Sequence, residues 1–317
     1  MTTNPILLRD RVAGGLVGLL VGDALGVPFE FHPPEALPPA DRIEMTPPEG
    51  FRRAHASVPP GTWSDDGAQA LCLLASLLDR GQLDLEDFGR RLVDWYDSGY
   101  MAVGGVVFDI GITTSRALRA LRDGVPAELA GPSGDRDNGN GSLMRVLPLA
   151  LWHRGTDAEL IDLACSQSKV SHGHPRSQAC CALYCLWARR ILQGEPNPWR
   201  DAVSTLRGLC DDDSPLMREL EGAIRPDEPP SGRGTGYVVD CLRSARLALE
   251  AGPFEEAVRA AVALGHDTDT TACVAGGLAG LRDGLSAIPP RWLDALRGKE
   301  LYEPLLARLL DRLGAPA

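Results

Sequence analysis

Glycine recurs at every fourth residue near the start of this chain, and that spacing limits the fold more than any other feature. Gly14, Gly18, Gly22 and Gly26 lie within an otherwise apolar segment. Residues four apart share one face of an α-helix, and a face without Cβ atoms allows a second helix backbone to approach closely. Helical periodicity also dominates the rest of the chain, and no segment alternates with period two for long enough to predict a strand. The sequence therefore predicts an all-α fold.

The organisation of the chain favours a single domain over residues 1–317. Hydrophobic residues make up 44% of the sequence, which is enough for a sizeable core and excludes disorder as a description of the whole. Eight prolines between residues 31 and 60 predict a long irregular loop. Polar, glycine-rich breaks at 131–141 and 226–236 are interpreted as loops. After a first apolar helix, the periodicity predicts helices at 65–80, 85–98, 113–123, 142–152, 157–168, 175–193, 199–210, 214–224, 236–251, 254–264, 270–282 and 300–313.

Charge and cysteine content restrict the partners and the compartment. A formal net charge of −11 argues against binding to a nucleic-acid backbone, which requires clustered Lys and Arg. The eight cysteines lie in apolar patterns without a C-x-x-C pair or a signal peptide, so we expect reduced thiols and a cytoplasmic protein. The longest apolar run, 12–22, is too short and too glycine-rich to span a bilayer, which predicts a buried helix and no membrane association. We expect a monomer, because no long apolar face demands a partner.

Two clusters of acids and hydroxyls precede helices that lie far apart in the sequence. The first is Ser64-Asp65-Asp66, and the second is Asp267-Thr268-Asp269-Thr270. Each alone is explained by helix capping, because acids stabilise helix N-termini. Together they offer an all-oxygen ligand set, which suits Mg²⁺ or Mn²⁺ better than zinc. Four carboxylates in this set make a pair of ions plausible.

These clusters belong to a series of motifs that resembles the ADP-ribosylglycohydrolases, including the dinitrogenase-reductase-activating glycohydrolases. The resemblance spans nearly the whole chain, and its motifs follow the family order. They are Gly22-Asp23-Ala24-Leu25-Gly26 followed by Glu30, Trp63-Ser64-Asp65-Asp66, Asp109-Ile110-Gly111, Asn138-Gly139-Asn140-Gly141-Ser142-Leu143-Met144-Arg145, Ser171-His172-Gly173-His174-Pro175, Gly236-Tyr237-Val238 and His266-Asp267-Thr268-Asp269-Thr270.

The resemblance implies an orthogonal helical bundle around a dinuclear Mg²⁺ or Mn²⁺ centre. The implied metal ligands are Ser64, Asp65, Asp66, Asp267, Asp269 and Thr270. Glu30 matches a glutamate beside the metals on a loop that can gate the site, and its alternative role is a solvated loop acid. Asp109 matches a candidate acid/base aspartate of some bacterial members, and by itself it would be a helix cap. Ile112 departs from the family pattern, which often has a polar residue there. We therefore expect the contacts with the leaving group to differ from those in the arginine-specific members.

The family match also implies substrate contacts. The residues assigned to the diphosphate are Gly141, Ser142, Leu143 and Met144. Exposed N–H groups and a helix dipole in such a loop suit a diphosphate, although the loop alone is a turn-rich linker. His172 would lie near the ribose or the diphosphate, with a cap or surface histidine as the alternative. Tyr237 could stack on adenine, or it could be a core tyrosine.

The functional hypothesis is an ADP-ribosyl hydrolase that acts on an ADP-ribosylated protein or an ADP-ribose-containing small molecule. Cleavage at C1″ develops oxocarbenium-like charge on the distal ribose. Two ions would fix the ribose hydroxyls and orient a water, and Asp66, Glu30 or Asp109 would handle its proton. Two alternatives remain open at this point. They are a non-catalytic ADP-ribose-binding module and a dinuclear phosphohydrolase acting on a nucleotide diphosphate.

Overall fold

The computed structural model describes residues 5–313 and confirms an all-α fold. Within that range the only β-type pairing is one isolated bridge, between Gly139 and Tyr237. The same range contains fifteen α-helices. They are α1 (Pro5–Gly26), α2 (Asp65–Arg80), α3 (Leu85–Ser98), α4 (Ile112–Arg122), α5 (Ala127–Ala130), α6 (Leu147–Trp152), α7 (Asp157–Lys169), α8 (Pro175–Gln193), α9 (Pro198–Leu209), α10 (Pro215–Glu219), α11 (Val238–Leu249), α12 (Phe254–Ala263), α13 (Thr268–Asp283), α14 (Pro290–Ala295) and α15 (Lys299–Arg312).

The glycine face of α1 packs against α13, as the fourfold spacing predicts. A Cβ added to Gly18 would lie 2.5 Å from the carbonyl oxygen of Gly276, and one added to Gly22 would lie 2.0 Å from that of Ala272. Near the end of α1, a Cβ on Gly26 would lie 2.4 Å from the Cα of Asp269. The contacts run in opposite directions along the two helices, so the pair is antiparallel. The end of α1 is thereby brought against the start of α13.

The first helix is more apolar than the sequence prediction recognised. Leu7–Phe29 is long and hydrophobic enough to cross a membrane by length and composition, with a mean hydropathy of 1.7. The prediction that the apolar run is too short was therefore wrong. The most hydrophobic window of this stretch is entirely buried inside the protein, which confirms the prediction of a buried helix.

Most of the predicted helices lie within two residues of the observed bounds, and the exceptions have local causes. The predicted helix at 142–152 begins only at Leu147, because the N–H groups of Leu143 and Met144 both donate to the Asn140 carbonyl in a turn. The predicted helix at 214–224 is α10 followed by a π-helical turn, Leu220–Ile224. The short helices α5 and α14 were not predicted.

The proline-rich loop, residues 31–60, is irregular apart from two short 3₁₀ turns, Pro34–Ala36 and Ala40–Arg42. It is nevertheless fastened to the body of the protein. Ile43 and Met45 are buried in the core, and the Ala54 N–H donates to the Pro28 carbonyl at 2.9 Å. The loop is therefore held against the segment that follows α1.

Candidate active site

A cleft of about 230 Å³ opens where the starts of α2 and α13 meet the end of α1. Loops before α4 and α6 complete its walls. Its lining residues are Glu30, Asp65, Asp109, Ile110, Gly111, Ile112, Thr113, Thr114, Asn140, Gly141, Met144, His172, Gly236, Asp267 and Thr270. A larger cavity of about 590 Å³ lies elsewhere, beside Trp187 and Trp199. We place the site in the smaller cleft because its walls carry four acidic side chains.

The start of α2 is organised by a buried carboxylate of α1. Asp23 accepts the N–H of Ser64 at 2.8 Å with one oxygen and the N–H of Gly67 at 2.7 Å with the other. Ser64 is the N-cap residue, and its hydroxyl donates to Asp66 Oδ2 at 2.9 Å. Asp65 accepts a hydrogen bond from Gln69 Nε2 at 2.9 Å. Ser64 caps α2, because its hydroxyl also accepts the Asp66 N–H, and the same geometry places Asp65 in the wall of the cleft.

The start of α13 supplies the facing acids. Asp267 accepts from Asn140 Nδ2 at 2.8 Å, and Asp269 Oδ1 accepts the Thr270 N–H at 2.9 Å. The Thr270 hydroxyl reaches across to Asp66 Oδ2 at 3.4 Å. The two clusters, about two hundred residues apart in sequence, are therefore in direct contact, so a single cation could contact both.

The donor set fits divalent cations. Oxygens of Asp23, Asp66 and Asp269 lie within 4.8 Å of one another, and so do oxygens of Glu30, Asp267 and Asp269. The two groups share Asp269. Among residues 5–313, Asp66 Oδ1 and Asp269 Oδ2 are buried without a hydrogen-bond partner, which is costly for a carboxylate oxygen unless a cation occupies the position. Hard oxygen donors in two adjoining groups suit Mg²⁺ or Mn²⁺.

Burial and mutual repulsion raise the pKa of the acids in this cluster. Burial, then the charge of Asp109, raises the pKa of Glu30 to about 11. Burial likewise raises the pKa of Asp23 to about 7 and that of Asp109 to about 6. The pKa values of three more buried aspartates, Asp65, Asp66 and Asp269, are also raised, first by burial and then by neighbouring carboxylates. So many carboxylates can be ionised together only with positive charge among them.

Glu30 and Asp109 lie within 4.8 Å of each other in the cleft and share a neighbour that the sequence did not indicate. His55 Nε2 lies 2.7 Å from Glu30 Oε2 and 3.9 Å from Asp109 Oδ1. Asp109 has a left-handed backbone with φ of 57°. This conformation is uncommon for a residue other than glycine. Ile112 is 82% exposed and stands at the mouth of the cleft.

The loop before α6 contributes to the cleft through some of its predicted residues. Gly141 and Met144 line it, whereas Ser142 and Leu143 are fully buried. The Ser142 hydroxyl accepts from that of Ser168 at 2.9 Å. A Cβ on Gly141 would lie 2.8 Å from His172 Cε1, so only glycine allows this loop to lie so close to the histidine ring.

His172 is a buried and neutral histidine at the wall of the cleft. Burial, then the charge of Arg145, lowers its pKa to about 3. Its Nδ1 lies 2.8 Å from the Ser171 hydroxyl. Tyr237 is 40% exposed and lines a separate cavity of about 530 Å³ next to the cleft residue Gly236.

Sequence reasoning missed three residues of the site: Asp23, His55 and Asn140. Asp23 had a signal, because a single acid within an apolar helix is costly to bury unless it has donors to accept. Asn140, like Asp23, lies in one of the family motifs, but the sequence alone indicates no role for it. His55 lies in an irregular loop where no periodicity predicts its neighbours.

The fold and the cleft together define an all-helical protein whose candidate site is built from buried carboxylates. Sequence comparison specifies the class further, because the ADP-ribosylglycohydrolase family profile matches residues 4–316. The chain belongs to the ADP-ribosylglycohydrolase family, as the motifs predicted.

Individual relatives and a solved structure agree with this assignment. The chain is 32% identical to the ADP-ribosylarginine hydrolase Tri1 of Pseudomonas putida, over 98% of this chain and 81% of that protein. It is 29% identical to the ADP-ribosyl-[dinitrogen reductase] glycohydrolase of Rhodospirillum rubrum, over 98% and 97% respectively. A solved ADP-ribosylglycohydrolase-related protein complex matches with 36% identity and a TM-score of 0.76, covering 97% of this chain and 99% of that one.

Proposed function

We propose that this protein hydrolyses the C1″ glycosidic bond that joins ADP-ribose to a protein side chain, with Mg²⁺ or Mn²⁺ as its cofactor. One observation carries the proposal. Two clusters of acidic side chains, which have Asp269 in common, lie at the cleft. Among residues 5–313, two carboxylate oxygens of these clusters are buried without a hydrogen-bond partner. Relatives named for ADP-ribosyl hydrolysis support the reaction class.

The residues of the cleft would have separate roles in binding the metal ions, accepting a proton and stabilising charge. Bound Mg²⁺ or Mn²⁺ would supply positive charge that orients a water and the hydroxyls of the distal ribose. The ligands would be Ser64, Asp65, Asp66, Asp267, Asp269 and Thr270. Glu30, Asp66 or Asp109 would accept the proton of the attacking water. Because the ribose becomes positively charged as its bond breaks, the carboxylates of Glu30 and Asp109 would also stabilise that charge.

The opposite wall would hold the diphosphate. The backbone of Gly141 and the neighbouring loop would approach it closely, because glycine has no side chain to obstruct contact. If the Ser171 hydroxyl donates to His172 Nδ1, the neutral ring carries its proton on Nε2 and can donate to a substrate oxygen. We infer arginine as the first linkage to test, since two relatives at 32% and 33% identity are named ADP-ribosylarginine hydrolase.

A hydrolysis panel tests the proposal. Arginine-, serine- and acetyl-linked ADP-ribose are incubated with the protein and Mg²⁺, Mn²⁺ or EDTA, and free ADP-ribose is measured. We expect metal-dependent release from the arginine linkage, lowered roughly 100-fold or more in Asp269→Asn because a group that organises the transition-state charge is lost. Asp212→Asn, at an exposed loop position, is the matched control and should keep wild-type activity.

The other outcomes of the panel identify the alternatives. Release of AMP without intact ADP-ribose would indicate a phosphohydrolase. Tight, metal-dependent binding of ADP-ribose without hydrolysis of any linkage would indicate a binding module. Release from the serine or acetyl linkage alone would retain the reaction and reject arginine.

A further inference from the structure

His55 connects three segments that are distant in sequence. It lies near the end of the proline-rich loop, and its imidazole reaches the carboxylates of Glu30 and Asp109. Its ring lies between two aromatic side chains, with centroids 5.5 Å from Phe31 and 5.0 Å from Phe108. The backbone next to it is tied to the same region, since the Ala54 N–H donates to the Pro28 carbonyl. His55 is therefore fixed in place by packing as well as by hydrogen bonding.

The Glu30 carboxylate needs such a partner. One Glu30 oxygen lies within 4.8 Å of oxygens of Asp267 and Asp269, and one lies within 4.8 Å of an oxygen of Asp109. In the described part of the chain, no Lys or Arg forms an ion pair with Glu30, and His55 provides its side-chain hydrogen bond. The Glu30 carboxyl group is therefore crowded by three acids, and its hydrogen bond to His55 holds it in one orientation among them.

The backbone around Glu30 cannot supply the same restraint. The Phe31 N–H donates to the His266 carbonyl at 2.7 Å, which fixes the main chain next to the ligand segment of α13. The side chain of Glu30 still has three rotatable bonds beyond that anchor. Only a contact at the carboxylate itself determines which oxygen faces the cleft. His55 Nε2 occupies one oxygen, Oε2, and leaves the other for substrate or water.

We propose that His55 is a positioning residue that holds the Glu30 carboxylate in its cleft-facing orientation through the Nε2 hydrogen bond. The kinetic part of this inference rests on the proposed function. Its structural part, the orientation of Glu30, does not. The competing explanation is that His55 only anchors the proline-rich loop by aromatic packing.

Two substitutions separate the hydrogen bond from the packing. His55→Phe keeps an aromatic ring between Phe31 and Phe108 but removes the hydrogen bond. His55→Gln removes the ring but retains an amide N–H that can donate to Glu30. Arg52→Ala is the matched control, because Arg52 is an exposed residue of the same loop with no role in the site.

With the arginine-linked substrate and saturating Mn²⁺, His55→Phe should lower kcat roughly 10–100-fold, as expected when an orienting partner is lost. KM should change far less. His55→Gln should recover most of kcat, and Arg52→Ala should match the wild type. A kcat for His55→Phe within about twofold of wild type would overturn the proposal, and so would a His55→Gln variant no more active than His55→Phe.

Crystal structures of wild type and His55→Phe give a readout independent of turnover. We expect the Glu30 carboxylate to leave its position in the variant while the main chain of residues 31–60 stays in place. An unmoved carboxylate would refute positioning by His55. If the wild-type protein hydrolyses none of the tested linkages, the proposed function is wrong. The two crystal structures then decide the role of His55 without kinetic data.

Discussion

Asp23 is the residue that most directly connects the fold to the cleft. It lies in the buried part of α1, yet both of its oxygens accept backbone N–H groups from the start of α2. A buried carboxylate is tolerated when its hydrogen bonds are satisfied in this way. Because those N–H groups belong to Ser64 and Gly67, the position of Asp23 determines where the acids of α2 stand relative to α13.

Replacing Asp23 should therefore weaken metal binding. In Asp23→Ala, the start of α2 loses two hydrogen bonds and the acidic cluster loses one carboxylate. We expect the affinity for Mn²⁺, measured by calorimetry, to fall roughly tenfold or more. Wild-type Mn²⁺ affinity in this variant would contradict the role assigned to Asp23.

A second helix start provides the control for this experiment. Asp84 is the N-cap residue of α3 and accepts the Asp87 N–H at 2.9 Å, but it does not line the cleft. Asp84→Ala should cost about 1 kcal/mol of stability, as N-cap losses typically do, and should leave the Mn²⁺ affinity unchanged.

The residues of the site were predictable from sequence to different degrees. Asp65, Asp66 and Asp269 could be proposed as ligands because acids repeated at two helix starts indicate shared chemistry, and the structure brings these residues together. Ser142 and Leu143 could not be assigned to a side of their loop, because irregular backbone has no period that separates buried from exposed positions.

At the scale of elements, the α1–α13 pair depends on the absence of side chains at the contact. Gly18→Ala would place a Cβ 2.5 Å from the carbonyl oxygen of Gly276. Because backbone on both sides would have to move, we expect the free energy of unfolding in urea to fall by about 1–3 kcal/mol, the usual range for overpacking.

The matched control for that substitution is Gly208→Ala in α9. A Cβ on Gly208 would meet no atom within 4 Å, and alanine is the better helix former by up to about 1 kcal/mol. The stability of this variant should be unchanged or slightly higher. Equal destabilisation by both substitutions would show that the α1–α13 contact has no special role.

Helices were easier to predict than the ends of helices near the site. The bounds of α2 could be read from Ser64 as cap and from Gly81, whose φ is 68°. The start of α6 could not, because it is set by a turn at Asn140, whose N–H donates to the distant Gly236 carbonyl. Such contacts between loops have no signature in a local pattern.

At the scale of the whole molecule, the eight cysteines indicate how well the core excludes solvent. All are free thiols, and Cys210 is the one that is only partly buried. Burial raises the pKa of Cys210 as well, so even this thiol should react slowly. We expect a disulfide reagent to titrate about one thiol in the native protein and eight after denaturation. Loss of the native reaction in Cys210→Ser would confirm the assignment, whereas rapid reaction of several thiols would contradict a closed core.

The pairing of α1 with α13 also has a consequence for synthesis of the protein. The Thr268 hydroxyl donates a hydrogen bond to the Gly26 carbonyl, and the two residues are 242 positions apart in the sequence. A ribosome that adds roughly 5–20 residues per second needs roughly 12–50 s to make the chain between them. Throughout that interval the nascent chain carries a helix as hydrophobic as a membrane-crossing segment, without the partner that later covers it. The packing of α1 against α13 is therefore completed only after the chain has been extended by a further 242 residues.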